Sequence, residues 1–172
     1  MVLNNYPQQK ETPPMSTQHD LKSVLMLTPL NDETLKKIDK ITTVLSYDKG
    51  RYIFKERDRA EYLYAVIQGR VCLEININSD CPFIVKCIYP GKAFGISSVV
   101  DTEKRATVCH AKAVEPTKVF RWKGADLEAI FEQDYQQGYV FMRTVGKILK
   151  NRLEVQRVQL VEGLYNDQRI CA

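Results

Sequence analysis

Pro90-Gly91-Lys92-Ala93-Phe94-Gly95-Ile96-Ser97-Ser98, followed seven residues later by Arg105-Ala106-Thr107, is the stretch that decides how this chain is read. Glycine and small hydroxyl residues let backbone N–H groups come close to an anion, and an arginine beside them neutralises it. Gly95 permits the close approach, Ser97 and Ser98 add hydroxyl donors, and Arg105 supplies a planar fork matched to phosphate oxygens. A lone loop arginine is most often a solvated charge; its place after a Gly/Ser loop sets this one apart. The segment is a candidate phosphate cradle, and a chain that binds a small phosphate ester there would be a sensor rather than a catalyst.

On both sides of the cradle run short segments rich in Val, Ile, Tyr and Phe: Thr42–Tyr47, Tyr52–Lys55, Tyr62–Gln68, Arg70–Ile77, Phe83–Tyr89, Ala106–Val114 and Thr117–Trp122. Asp48-Lys49-Gly50, Gln68-Gly69-Arg70, Asn78-Ser79-Asp80, Pro90-Gly91 and Glu115-Pro116 punctuate them. Regularly spaced short strands with tight turns predict an antiparallel sandwich or jelly roll. The fold class is thus mainly β with flanking helices.

Outside this region the period becomes helical. Leu21, Val24, Leu25 and Leu27 share one helical face before Pro29, and Asn31 or Asp32 then caps a helix carrying Leu35, Ile38 and Ile41. After Trp122 come Ala125–Phe131 and a longer helix from about Tyr135 to about Tyr165. In the long helix Met142, Val145, Leu149, Leu153 and Leu160 mark one face, and Phe141, Ile148, Val155 and Val158 a second. One face packs on the β-domain; the other pairs with the same helix of a second subunit, or the domain itself covers both. Glu162 and Asn151 interrupt the seven-residue step, so no long coiled coil is expected. Residues 1–18, with Asn4-Asn5, Gln8-Gln9 and Pro13-Pro14, read as a flexible tail, residues 19–165 as one domain and residues 166–172 as a short tail.

The 172 residues, 44% of them hydrophobic, suffice for one core. The net charge of +4 is spread along the chain and does not argue for nucleic acid. Cys72, Cys81, Cys87, Cys109 and Cys171 show no CxxC spacing, which fits reduced thiols in a cytoplasmic protein. No apolar run approaches the ~20 residues that cross a bilayer, so no membrane anchor is expected. Only His19 and His110 are present, without metal-ligand spacing around them, and Cys109 and His110 point to opposite faces of a strand. The chain is therefore not expected to be an enzyme or to carry a metal or cofactor.

The order of these elements and the loop around Phe94–Thr107 resemble the cyclic nucleotide-binding domain, the β-roll module of the bacterial catabolite activator and of cyclic-nucleotide-dependent kinases and channels. The resemblance covers residues 20–165. Besides the cradle it rests on Pro29-Leu30, Asp48-Lys49-Gly50 before Tyr52-Ile53-Phe54, Glu56-Arg57-Asp58 leading into Tyr62-Leu63-Tyr64, and Gly69-Arg70-Val71. It implies an antiparallel jelly roll (β-roll) plus a long C-terminal helix, with Phe94, Gly95, Ile96, Ser97, Ser98, Arg105, Ala106 and Thr107 as the ligand-binding segment. By the same resemblance Arg105 pairs with a cyclic phosphate, and the backbones of Ala106 and Thr107 lie beside it. Ile96 stands where the family's Phe-Gly-Glu segment has the glutamate that accepts the ribose 2′-hydroxyl. Isoleucine accepts nothing, and a buried unpaired hydroxyl costs roughly 1–3 kcal/mol. Arg57 replaces a turn glycine, and since arginine tolerates positive φ poorly the turn is expected to have changed shape.

The helical tail, with Glu132-Gln133-Asp134 before Gly138-Tyr139 and Arg152-Leu153 before Arg157, resembles stand-alone bacterial or archaeal members. Arg152 and Gln156 are candidate lid contacts, the alternative being ordinary exposed helix positions. In the transcription-factor branch a helix-turn-helix module follows the long helix. Seven residues follow Tyr165 here, so no direct contact with nucleic acid is expected. The expectation is a cytoplasmic, non-catalytic regulatory homodimer that binds cyclic AMP, cyclic GMP or a related phosphate ester. It would signal through its C-terminal helix to the other subunit or to an unidentified protein partner. The alternative is a degenerate β-roll, its pocket filled by its own side chains and Arg105 engaged by Glu103 or Asp101. Such a chain would act as a dimerisation or interaction module, for example in transcriptional regulation with a separate DNA-binding partner.

Overall fold

Period-two alternation along Tyr62–Gln68 sends its side chains into two different cores. Leu63 and Ala65 pack with Leu35, Ile38, Trp122, Leu127 and Phe141. Tyr64 and Val66 pack with Leu45, Phe54, Val71, Ile88, Phe94 and Val119. The strand therefore lies in a sheet with helices on one side and a second sheet on the other.

The computed structural model describes residues 10–12, 21–78, 81–100 and 106–170. In chain order its strands are β1 (Lys10–Thr12), β2 (Thr43–Tyr47), β3 (Tyr52–Phe54), β4 (Tyr62–Gln68), β5 (Val71–Asn78), β6 (Cys81–Ile88), β7 (Ala93–Phe94), β8 (His110–Ala113) and β9 (Thr117–Lys123). Its helices are α1 (Asp32–Lys40), α2 (Ser97–Val100), α3 (Gly124–Gln133) and α4 (Tyr135–Ile170). The strands form a sheet in the order β1-β2-β9-β4-β7 and another in the order β3-β8-β5-β6. Every pairing between them is antiparallel. This is the antiparallel jelly roll with flanking helices and a long C-terminal helix that the sequence predicts. The widest boundary difference is at Ala106–Val114, where only His110–Ala113 is strand and Ala106 makes an isolated bridge to Arg59.

Local chemistry explains how α1 is set. Asn31, rather than Asp32, caps it: the Asn31 side chain accepts from the Thr34 N–H at 2.8 Å, with acids in the first turn and lysines in the last. Buried Thr42 accepts from the Trp122 indole at 2.7 Å and donates to the Ile38 carbonyl at 2.7 Å, so the end of α1 is tied to β9 without an orphaned polar group. The segment before α1 is a run of turns rather than the predicted helix. Val24, Leu27 and Leu30 donate to the carbonyls three residues back, which buries Leu21, Val24, Met26 and Leu27 and leaves Leu25 exposed.

Four further expectations are corrected by the fold. Lys10–Thr12, placed in the 1–18 tail, pair with the outer edge of β2, Lys10 opposite Ser46 and Thr12 opposite Val44; composition carries no trace of such backbone pairing. The rest of that tail lies outside the described residues. Helix α4 continues through Ile170, so the 166–172 tail is helical over 166–170. The core face of α4 is Phe141, Val145 and Ile148, which mixes members of the two predicted stripes. Beyond it Leu153, Val155, Val158, Leu160 and Val161 are all exposed. Finally, Cys72 and Cys87, read as reduced thiols, form a disulfide, because the β5–β6 register sets them directly opposite with Cα atoms 4.1 Å apart. Cys109 is free.

Candidate functional site

Strand β7 delivers the cradle. Its two residues pair with β4, Phe94 opposite Tyr64 and Ala93 opposite Ala65, and the Phe94 ring stacks on Tyr64 at 5.2 Å. The chain then turns at Gly95, where φ is +76° and a Cβ would stand 2.7 Å from the Tyr62 carbonyl oxygen. Only glycine satisfies both conditions. The single turn α2 follows, held by Ser98 N–H to Gly95 O at 3.1 Å and Val99 N–H to Ile96 O at 3.0 Å.

This turn separates the two serines. The Ser98 hydroxyl donates to the Gly95 carbonyl at 2.8 Å and the residue is fully buried, so the hydroxyl serves the turn rather than a ligand. Ser98 also touches α3: a Cβ at Gly124 would lie 2.2 Å from the Ser98 carbonyl oxygen. Ser97 faces the cavity described below. Ile96 is buried among the helix-side residues and also lines that cavity.

The opposite wall runs from Ala106 to Cys109; Arg105, Glu103 and Asp101 lie outside the described residues. Ala106 is exposed. Thr107 is buried and anchored on the Lys55–Asp58 turn: its N–H donates to Asp58 O at 2.8 Å, its carbonyl accepts from Arg57 N–H at 2.9 Å, and its hydroxyl donates to Lys55 O. The turn itself keeps positive φ at Arg57, +69°, correcting the expectation that arginine would reshape it. Asp58 N–H to Lys55 O at 3.1 Å and Lys55 N–H to the Asp58 carboxylate at 2.7 Å close the turn around that residue.

Helix α4 crosses the open side. Arg152, half-buried, donates through Nη2 to the Ala93 carbonyl at 2.9 Å, and burial lowers its proton affinity. Gln156, one turn on, is exposed and is not brought to the cradle. Between the walls lies a cavity of about 240 Å³, floored by Phe54 and Leu73, flanked by Gly95, Ile96 and Ser97 on one side and Thr107, Val108 and Cys109 on the other, and closed by Leu149 and Arg152. Burial pushes the Cys109 thiol up, which keeps it protonated, although Arg152 pulls the other way. Lys86, directly opposite Leu73 in the β5–β6 register, has its ammonium disfavoured by burial and then by Arg152 and Lys92.

The sequence singled out neither Phe54, Leu73, Val108, Cys109 and Leu149 nor Lys86. Leu73 carried a signal, as an inward position of an alternating strand; Leu149 carried one as part of a helical stripe. The others depend on which strands become neighbours. A larger groove of about 300 Å³ lies between α3 and α4, with Phe131, Tyr135, Tyr139 and Met142 among its walls and Glu128 and Glu132 at its side. No cation stands among its described lining residues, whereas Arg152 lines the cradle cavity.

Comparison with known proteins bears on the same region. The family model described as "Cyclic nucleotide-binding domain" matches residues 44–134. Among curated proteins, cGMP-dependent protein kinase 2 of Homo sapiens is 27% identical over 125 residues, covering 70% of this chain and 16% of the kinase. The chain thus spans about a sixth of that relative's length. A solved protein of Geobacter metallireducens, named as cyclic nucleotide-binding, superposes with a TM-score of 0.70 at 29% identity and covers 81% of this chain and 99% of its own. A cyclic nucleotide-binding domain from Methylobacillus flagellatus gives a TM-score of 0.78 at 13% identity, covering 92% and 91%, a likeness of fold alone.

Proposed function

The chain belongs to the cyclic nucleotide-binding domain family, and on that premise we propose that it is a non-catalytic regulatory protein whose cradle takes a cyclic nucleotide or a related small phosphate ester. The observation that carries this reading is the Arg152 bond to the Ala93 carbonyl, which ties the long helix to the last strand before the cradle. A bound anion competes with that carbonyl for the guanidinium and so gives the ligand different affinities for two positions of α4. Arg105, from its place in the sequence, is the second anion partner.

The exposed part of α4 passes the change on. Leu153 and Leu160 on one face of the helix, and Val155 and Val158 on the other, are exposed apolar side chains suited to a second copy of the helix or to a protein partner. Among the described residues no helix is long and apolar enough to cross a membrane. Burial of Ile96 in the helix-side core favours the second reading, a β-roll that has lost its ligand; the cavity beside it favours the first.

Calorimetric titration with cyclic AMP and cyclic GMP separates them. Binding of either that weakens about tenfold or more in Arg105→Ala and in Arg152→Gln supports the sensor. Absence of binding by both nucleotides at sub-millimolar concentration leaves the interaction module.

A further inference from the structure

The walls of the cradle cavity are mostly carbon. Phe54, Leu73, Ile96 and Leu149 supply them, and no carboxylate or carboxamide stands among the described lining residues. Of the hydroxyls nearest to hand, Thr107 is committed to Lys55 O and Ser98 to Gly95 O, which leaves Ser97 as the one uncommitted hydroxyl among the described lining residues. A nucleoside entering this space would strip water from its sugar hydroxyls and ring nitrogens and meet few partners, a loss of roughly tenfold in affinity for each group left unpaired.

The one charged side chain among the described lining residues, by contrast, is a cation, Arg152. Among the described residues the one hydrogen bond of Arg152 is to the Ala93 carbonyl, which leaves most of its five donors uncommitted. Lys86 stands close enough to be repelled by it. Neither cation makes an ion pair with a described acid. At the mouth, Val100, Val108 and Leu149 present apolar side chains that are 45%, 75% and 40% exposed. Exposed carbon at a cavity rim with a cation inside fits an amphiphilic anion.

We infer that the ligand is a sugar-free organic anion: a single phosphate or carboxylate held by Arg152 with Lys86 beside it, on an aromatic or short aliphatic body between Phe54, Leu73, Ile96 and Leu149. This rests on the reading of the cradle cavity as the chain's ligand site and replaces the nucleotide by a different class of molecule. The body reaches Val100 and Val108 at the mouth, whose side chains offer a sugar no acceptor.

Titration calorimetry on the full chain tests it with 1-naphthyl phosphate, 2-naphthoate, cyclic AMP and cyclic GMP, the first two distinguishing the head groups. At least one naphthyl compound is expected to bind about tenfold or more tightly than either nucleotide. Arg152→Gln should weaken the naphthyl compound about tenfold. Val108→Asp, at an exposed position, should weaken it as well, with an unchanged thermal melt showing that the fold is intact. A nucleotide that binds more tightly than both naphthyl compounds overturns the inference and leaves the ligand-site reading standing. Absence of binding by all four overturns both, and naphthyl binding that is indifferent to Arg152→Gln and Val108→Asp places the ligand elsewhere and overturns the inference.

Discussion

Gly95 and Arg57 hold nearly the same left-handed backbone, φ +76° and +69°, at two turns flanking one cavity, yet only one of them is glycine. The difference lies in the space around each Cβ. At Gly95 the Tyr62 carbonyl and the Tyr64 ring close the position off, at 2.7 and 3.1 Å from a Cβ. At Arg57 the side chain leaves into solvent, and hydrogen bonds from Lys55, Asp58 and Thr107 fix the backbone on either side. One wall of the cradle is thus built by close approach, the other by hydrogen bonds into a fixed turn. The first wall also meets α3, through Ser98 and Gly124.

Gly95→Ala is the strongest way to break the first wall. The left-handed backbone costs an alanine about 1–2 kcal/mol, and contact with the Tyr62 carbonyl adds a similar amount, for a loss of about 3 kcal/mol in thermal or denaturant unfolding. A loss under about 1 kcal/mol would show that the wall yields easily. Gly124→Ala comes next. Its Cβ would stand 2.2 Å from the Ser98 carbonyl, so α3 and α2 must separate at a cost of about 2 kcal/mol. Ligand titration should then show weakened binding although Gly124 lies outside the cavity; unchanged affinity would mean that the helices and the cradle are uncoupled.

How far each wall was legible in the sequence follows from the same contrast. Period-two runs and glycine turns gave the jelly roll, and Gly95 stood out because glycine in that loop has a steric purpose. The Cys72–Cys87 pair was hidden because it depends on the register of β5 against β6, which a spacing of fifteen residues does not reveal. Lys86 was hidden for the same reason, being placed by its pairing with Leu73. Ser98 looked like a ligand donor because composition cannot say which way a hydroxyl points within a helical turn. Arg57 misled in the opposite direction: the steric rule for positive φ was right about cost, but hydrogen bonds within Lys55–Asp58 and to the distant Thr107 hold the turn against it.

Thr107→Val tests the second wall. Valine nearly preserves the shape of threonine and removes the hydroxyl that donates to Lys55 O and, at 3.3 Å, to Asp58 O. The expected loss is about 1 kcal/mol, read by denaturant unfolding, with the Arg57 turn still formed through its backbone bonds. A loss as large as that of Gly95→Ala would mean that both walls depend equally on single contacts, and the contrast between them would vanish.

The smallest effect has the opposite sign. Arg57→Gly relieves the left-handed strain that Arg57 carries, worth about 1–2 kcal/mol, and gives back about 0.5–1 kcal/mol through the greater freedom of glycine in the unfolded chain. The net expectation is a gain of about 0.5 kcal/mol, a rise of about 1–2 °C in melting temperature for a domain of this size. The substitution touches neither Thr107 nor the cavity walls, so ligand affinity should stay unchanged. A fall in stability would show that the Arg57 side chain contributes more at the surface than its backbone costs, so that hydrogen bonds alone do not hold the second wall.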